Sequence, residues 1–384
     1  MSRLGFGSHG APGREGRRSF LALLAVVVVI AACGGSTSGS SGKKEVLVGA
    51  TLPLTGPIGP YGKSMLQGLQ LGLQDSQKQL TGVTLKLNAL DDAGNAAPAV
   101  TQARQLMSSG AVAVVSATGI PLAQLALAEQ YKIPLLNGGG NIPELEGHDW
   151  LFNDAFMQTE GGAGMMRYGF TSLGFKKIAI GLTSDYPQTT GTALQSIWQG
   201  ISGQTAPVYF IPIDTTNAGP YIDKVLSTHP DALYFAVTGT ALELTLTQMQ
   251  QRSVNIPVLA GDGALLAAPE ANKVSFPIYY ANPGQPASAT LSSEYKAAYN
   301  SDPDFLSVQF YNLGLIIGQA VGVLQSSGKA LTGANMQALL NDTNQKFVGD
   351  GGTAMSFDSK HVAAQPVQIV KVSKGQSTVV ATKV

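Results

Sequence analysis

Short apolar runs alternate with longer amphipathic segments along most of this chain. Residues 46–50 form the first continuous apolar run, and Met65, Leu69 and Leu73 follow it at the spacing of a buried helix face. The same succession repeats, and the predicted strands are residues 46–50, 83–87, 111–116, 133–136, 178–180, 208–213, 233–237 and 257–260. The predicted helices are residues 65–73, 95–107, 121–130, 192–201, 221–228, 242–251, 291–299, 307–325 and 334–340.

Uninterrupted apolar strands indicate burial on both faces, which is typical of a parallel sheet covered by helices. Right-handed crossovers then connect successive strands. Two such series, residues 46–136 and 178–260, predict an α/β fold with two doubly wound parallel-sheet lobes. Residues 366–372 and 378–384 alternate like a hairpin, and the remaining C-terminal elements imply that the chain passes between the lobes more than once.

The N-terminal residues predict an export signal. Arg17 and Arg18 precede the uncharged, mostly apolar residues 20–32, a run too short to cross a hydrocarbon layer of about 30 Å. We therefore expect residues 1–32 to be a signal peptide that is removed. The paired arginines are also typical of a twin-arginine signal, and the general secretory route stays open as the alternative.

Cys33 follows an aliphatic residue and two alanines, an arrangement that resembles a bacterial lipobox. Cleavage before Cys33 would leave its thiol to carry lipid, while a plain signal peptide with an incidental cysteine and a free catalytic thiol are the alternatives. Residues 33–43 are rich in glycine and serine and predict a flexible tether. Because Cys33 is the only cysteine, no intramolecular disulfide is possible.

Composition excludes several classes of function. Lysine plus arginine equals aspartate plus glutamate, 24 against 24 in 384 residues, and no basic stripe with interleaved aromatics occurs, so we expect no nucleic-acid partner. The four histidines have no metal-site spacing, and no nucleophile elbow is present, so neither metal, cofactor nor enzyme activity is predicted. Asp91 and Asp92 are adjacent and would point apart, which favours a solvated loop over acid–base chemistry.

Several motifs together resemble the type I periplasmic binding proteins, and among them the branched-chain amino acid receptors of ATP-driven (ABC) importers. The similarity covers nearly the whole chain after Cys33. The motifs that carry it are VGATLPLTGP at 48–57, the pairs at 61–62 and 91–92, AVAVV at 111–115, KIPLL at 132–136, IPEL at 142–145, and the segments 352–358 and 366–372.

This resemblance implies two lobes joined by three crossing segments, near residues 152–156, 280–285 and 351–357. The expected first lobe is residues 44–153 plus 285–351, and the second is 154–284 plus 352–384. It also implies a monomer that binds a small molecule and docks on ABC permease subunits. With the lipidated Cys33 that the lipobox predicts, this monomer would be anchored on the extracytoplasmic face of the membrane. A sensor that passes a signal to a membrane partner is the alternative.

Four loops that follow strands are expected to face the cleft between the lobes. In the first lobe, Tyr61 offers a ring or backbone contact, or is a core tyrosine. Thr118 lies before the helix that Pro121 begins, where a ligand carboxylate fits a helix N-terminus, although Thr118 could simply cap that helix. In the loop 137–141, the resemblance maps one backbone contact onto Gly139 and one side-chain contact onto Asn141.

In the second lobe, Asp262 occupies the position at which amino-acid receptors of this family carry an acid facing the ligand's ammonium, or it belongs to an ordinary Asp-Gly turn. Tyr186 is expected to line the cleft. Thr238 stands where many such receptors have a tyrosine, so the ligand could be an amino acid, an amide, a urea-like compound or an aromatic acid. Capture by lobe closure would require about 5.5 kcal/mol of differential affinity.

Overall fold

Parallel pairing of five strands forms the first sheet of the computed structural model, which describes residues 43–140, 142–154, 158–260, 273–283, 286–363, 367–374 and 376–382. Its strands lie in the order β2-β1-β3-β4-β5. They are β1 (Lys44–Leu52), β2 (Val83–Asp91), β3 (Ala113–Ser116), β4 (Leu135–Asn137) and β5 (Leu151–Asn153). The connecting helices are α1 (Gly59–Gln77), α2 (Ala96–Ser108) and α3 (Pro121–Tyr131).

The second sheet has five parallel strands and an antiparallel hairpin at one edge, in the order β14-β13-β10-β9-β8-β6-β7. Its parallel strands are β6 (Ile178–Thr183), β7 (Val208–Ile211), β8 (Ala232–Ala236), β9 (Val258–Ala260) and β10 (Ile278–Pro283). The hairpin consists of β13 (Val367–Ser373) and β14 (Gln376–Thr382). The helices of this part are α4 (Gln158–Thr171), α5 (Gln188–Ser202), α6 (Gly219–Leu226) and α7 (Gly239–Gln251).

Both sheets are buried on both faces, as the apolar strands predict. In β8, Leu233 and Phe235 point into one core, whereas Ala232, Tyr234 and Ala236 point into the core on the opposite face. The first sheet likewise separates two cores. The predicted fold class, two doubly wound lobes, is therefore confirmed.

Three further helices follow the second crossing and pack on the first lobe: α8 (Ala289–Tyr299), α9 (Phe305–Ser326) and α10 (Gly333–Leu340). The helix α9 is long and apolar enough to cross a membrane, but 78% of its most apolar window is buried inside the protein. It lies against α1 so closely that a Cβ on Gly68 would stand 2.1 Å from the carbonyl oxygen of Ser307. The apolar length of α9 thus reflects a core position.

The last return to the second lobe differs from the expected crossing near 351–357. Residues 347–355 form a short hairpin, β11 (Phe347–Val348) with β12 (Ala354–Met355). The ring of Phe357 then packs edge-on against Phe152 at 5.2 Å, and the N–H of Ala363 donates to the carbonyl of Asn153 over 2.9 Å. The segment through Ala363 therefore packs on the first lobe, because Phe357 completes its core, and the chain joins the second sheet at Val367.

The first residues of two expected crossing segments belong to strands instead. Residues 152 and 153, expected to begin the first crossing, belong to β5, and residues 280–283, expected to begin the second, belong to β10. The predicted signal peptide 1–32, Cys33 and the tether up to residue 42 lie outside the described residues, as do Asn141 and Asp262.

Candidate functional site

The loop after β3 presents a strained threonine beside open space. Thr118 has φ +59°, a left-handed conformation that is rare for a β-branched residue and often occurs at functional sites. A Cβ on the neighbouring Gly119 would have no contact within 4 Å among the described residues. The N-cap of α3 is Ile120 rather than Thr118, so the alternative that Thr118 merely caps this helix is not what the structure shows.

The loop after β4 is held against Thr118 by a buried amide. The carbonyl of Gly139 accepts the N–H of Thr118 over 2.8 Å. The side chain of Asn137 accepts the N–H of Gly139 at 3.2 Å and donates to the carbonyl of Gly140 and to Asn153. Both main-chain groups of Gly139 therefore have a hydrogen-bond partner: the N–H bonds to Asn137 in the same loop, and the carbonyl bonds to Thr118 in the loop after β3.

A buried polar cluster supports these two loops from below. The amide of Gln124 in α3 donates to the hydroxyl of Thr51 at the end of β1 over 2.8 Å, and all of Thr51, Ser116 and Gln124 are fully buried. Hydrogen bonds between buried groups are directional. This cluster therefore fixes the spacing between the C-terminal ends of β1 and β3 and the first turn of α3.

The adjacent carboxylates Asp91 and Asp92 have opposite environments. Asp91 accepts the N–H groups of Leu54 and Ala93 and the hydroxyl of Thr55 at 2.6 Å; burial raises its pKa, but these bonds outweigh that effect and leave the pKa lowered. Asp92 is only 1% exposed, which corrects the prediction that both lie in a solvated loop. Burial, together with the charge of Asp91, raises the pKa of Asp92 to about 6, against the N–H of Gly94.

Strand ends of the second lobe carry hydroxyl and carboxylate groups. Thr183, the last residue of β6, and Thr238, just after β8, bring their hydroxyl oxygens within 3.1 Å of each other. Asp185 lies two residues after β6 and is accessible to water. Its pKa is nevertheless raised, because the surrounding protein desolvates the carboxylate more than the hydroxyl of Thr183 stabilises it.

Sequence reasoning included Thr238 and missed Thr183 and Asp185. Their signal was available, since both lie at the carboxyl end of a buried strand, where ligands of open α/β sheets bind. Tyr186 is half-buried and packs partly against the core of the second lobe, and its N–H donates to the carbonyl of Thr183 over 3.1 Å.

Tyr61 joins the two lobes directly. Its hydroxyl accepts the main-chain N–H of Gly239, the first residue of α7, over 2.8 Å, and this contact is buried. Gly239 has φ +59°, and a Cβ there would stand 2.6 Å from the carbonyl oxygen of Pro57. Tyr61 thus contacts the second lobe at the residue that directly follows Thr238.

The described parts of the two walls differ in hydrogen-bonding character. On the first lobe, the hydroxyl of Thr118 and the N–H groups of Gly119 and Ile120 lie at the N-terminus of α3, where the helix dipole is positive. On the second lobe, the strand ends carry the carboxyl group of Asp185 and the hydroxyl groups of Thr183 and Thr238. This arrangement suits a molecule with an acceptor group at one end and a donor group at the other.

Two doubly wound sheets, with polar loops after their parallel strands, have the architecture in which open α/β sheets bind ligands at the carboxyl ends of the strands. Residues 45–377 match the family model described as periplasmic binding protein. The chain belongs to that family, as the resemblance in its sequence indicates.

Solved structures of the same fold cover nearly all of the described chain. A leucine-binding protein of Thermotoga maritima has a TM-score of 0.76 and 22% identity, with 88% of this chain and 98% of that chain covered. A branched-chain amino acid transporter substrate-binding protein of Streptococcus pneumoniae, in complex with isoleucine, has a TM-score of 0.76 and 20% identity, with 88% and 100% covered.

A third structure has a different ligand. The solute-binding protein of an ABC transporter from R. palustris, in complex with benzoate, has a TM-score of 0.75 and 17% identity, with 88% of this chain and 96% of that chain covered. No curated protein sequence matches the chain. At these identities the neighbours establish the fold and leave the ligand to be argued from the site.

Proposed function

We propose that this chain is the extracytoplasmic substrate-binding lipoprotein of an ABC importer and captures a small polar solute by closure of its two lobes. The observation that carries this proposal is the buried hydrogen bond between Tyr61 and Gly239. It joins the loop after the first strand of one lobe to a strand-end loop of the other, which supports our proposal that Thr118 and Thr238 line opposite walls of one cleft.

The polarity of the walls supports a ligand with an anionic or carbonyl end and a donor end. The first end would lie at Thr118 and the N-terminus of α3, and the second would lie at Asp185 and Thr238. Asp262 is proposed as the second acid of this wall. Amino acids, the branched-chain ones included, amides, urea-like compounds and aromatic acids meet this description to different degrees.

The structural neighbours support the class of ligand without selecting one member. The three neighbours are named for or bound to leucine, isoleucine and benzoate, and each of these small molecules carries a carboxylate. In our proposal the protein leaves its ligand chemically unchanged and delivers it to a membrane permease.

A thermal-shift screen over the proteinogenic amino acids, simple amides, urea and benzoates tests the proposal, with isothermal titration of each compound that raises the melting temperature. We expect at least one compound to bind, and Asp262→Ala and Asp185→Asn to weaken it at least tenfold if it carries a cationic group. Asp302→Ala, a change of an exposed carboxylate beside Lys296, is the matched control. If neither substitution changes the affinity for a cationic compound, Asp262 and Asp185 do not contact the ligand.

Membrane attachment is tested separately from binding. We expect wild-type protein to fractionate with membranes after metabolic labelling with palmitate, and Cys33→Ser to lose both the label and the membrane fraction. Loss of solute uptake on deletion of the gene supports import, whereas unchanged uptake with a lost transcriptional response supports the alternative, a sensor.

A further inference from the structure

The contact between Tyr61 and Gly239 satisfies the first N–H of a helix with a side chain from the opposite lobe. Thr238 has the extended backbone of an N-cap residue, φ −123° and ψ 165°, but its hydroxyl lies against Thr183. The N–H of Gly239, which an N-cap side chain does not reach, donates to the Tyr61 hydroxyl of the opposite lobe. The N-terminus of α7 is therefore partly capped by the other lobe.

Apolar groups surround this hydrogen bond. Ile58 and Tyr61 of the first lobe are 7% and 8% exposed. Ile213 of the second lobe packs against the core of the first lobe. Separation of the lobes would expose this apolar surface to water, so the cluster favours the closed form independently of any bound molecule.

Gly239 makes the close approach possible. Its φ of +59° is left-handed, and a Cβ would stand 2.6 Å from the carbonyl oxygen of Pro57 and 3.2 Å from Ile58 Cγ2. Both of those atoms belong to the opposite lobe. An alanine at 239 would therefore obstruct the closed form specifically, in addition to the ordinary strain of a left-handed alanine.

We propose that Tyr61, Ile58, Ile213 and Gly239 form a latch that holds the lobes closed in a substantial fraction of molecules before any solute binds. The latch rests on the proposed function, which supplies the reason for opening and closing, and it concerns how that site is regulated. A partly closed unliganded state reduces the conformational cost of binding. The apparent affinity rises in proportion to the fraction of unliganded molecules that are already closed.

Distance measurements without solute test the latch. Spin labels are attached to Lys63→Cys on α1 and Glu243→Cys on α7, two exposed positions on helices that contact each other across the lobes. The full chain carries Cys33→Ser so that only these two positions are labelled. We expect the unliganded protein to show a short-distance population, and Tyr61→Phe to reduce its ratio to the long-distance population about tenfold, because the buried N–H of Gly239 loses its acceptor.

Matched variants separate latching from general stability. Gly239→Ala should abolish the short-distance population, whereas Gly203→Ala should retain it, because Gly203 is also left-handed, at φ +74°, but a Cβ there meets nothing within 4 Å in the described chain. Tyr299→Phe loses a hydroxyl bond to Gln67 inside the first lobe and should also retain the short distance.

Two results would overturn the latch: an unliganded protein with only the long distance, or equal distance distributions for Tyr61→Phe and Tyr299→Phe. Neither result affects the proposed solute binding, which fails on different grounds, the absence of any bound compound in the thermal-shift screen.

Discussion

The N–H of Thr118 donates to the carbonyl of Gly139 over 2.8 Å and ties the loops after two neighbouring strands into one surface. Thr118 reaches this position only by adopting φ +59°. A strained backbone conformation persists where surrounding contacts hold it in place. Here the hydrogen bond to Gly139 holds Thr118, and the Asn137 amide holds Gly139. In the proposed function, the strained residue would offer its hydroxyl to the ligand beside the N-terminus of α3.

Thr118→Gly should stabilise the fold and impair binding. Glycine adopts φ +59° freely, so we expect the free energy of unfolding in urea to rise by about 1 kcal/mol, while the best compound of the screen binds more weakly without the hydroxyl. Ser253→Gly is the control, since Ser253 has φ +55° at the far end of α7 and should gain stability with unchanged affinity. A less stable Thr118→Gly would contradict the strain assignment.

Asp92→Asn should stabilise the protein at neutral pH. The pKa of Asp92 is raised from 3.8 to about 6, so its favourable contribution is full below pH 3.8 and is lost as the pH rises through 6. We expect the variant to exceed wild type by about 1 to 2 kcal/mol at pH 7, allowing for solvent screening, and to match it near pH 3.5. Urea unfolding between pH 3.5 and 8 measures the difference.

Asp91→Asn should change the stability at neutral pH in the opposite direction from Asp92→Asn. The pKa of Asp91 is lowered, so its contribution is present above the unfolded pKa and is lost as the pH falls through the folded value. The variant should therefore be less stable than wild type at pH 7, with a deficit that shrinks on acidification. Parallel pH profiles for the two variants would refute the opposite environments described for these carboxylates.

Gly68→Ala should separate α1 from α9. A Cβ at Gly68 would stand 2.1 Å from the carbonyl oxygen of Ser307, a backbone atom that cannot move aside cheaply. We expect a loss of about 3 kcal/mol in chemical denaturation. Gly200→Ala in α5, where a Cβ meets nothing within 4 Å in the described chain, should gain up to about 1 kcal/mol. Equal effects of the two changes would argue against the close helix pair.

Thr183→Val and Thr190→Val compare two buried hydroxyls. Thr183 bonds Thr238 at 3.1 Å, and its replacement should cost about 1 kcal/mol and weaken solute binding. The hydroxyl of Thr190 is buried and bonds nothing within the described ranges, so an isosteric valine there should be neutral or stabilising. Differential scanning calorimetry and titration distinguish the two outcomes, and a neutral Thr183→Val would show that the hydroxyl pair contributes nothing.

Several elements could be predicted from local pattern and others could not. The strands β1, β3 and β8 are continuous apolar runs, and α9 is a long apolar helix, so their burial is visible in the sequence. The strand β5 has only three residues and forms because β4 pairs with it. The position at which the chain returns to the second lobe, after Ala363, likewise depends on the packing of Phe357 against Phe152.

By itself, the sequence determined the class of fold, and it predicted strand-end loops as the binding region and an N-terminus typical of an exported lipoprotein, because periodicity and spacing are local properties. Only the tertiary structure decided that Asp92 is buried beside an Asp91 whose carboxylate accepts several hydrogen bonds, and that Tyr61 contacts Gly239, 178 residues further along the chain. Burial and lobe contact depend on how distant segments pack together, and that information is not contained in any one stretch of sequence.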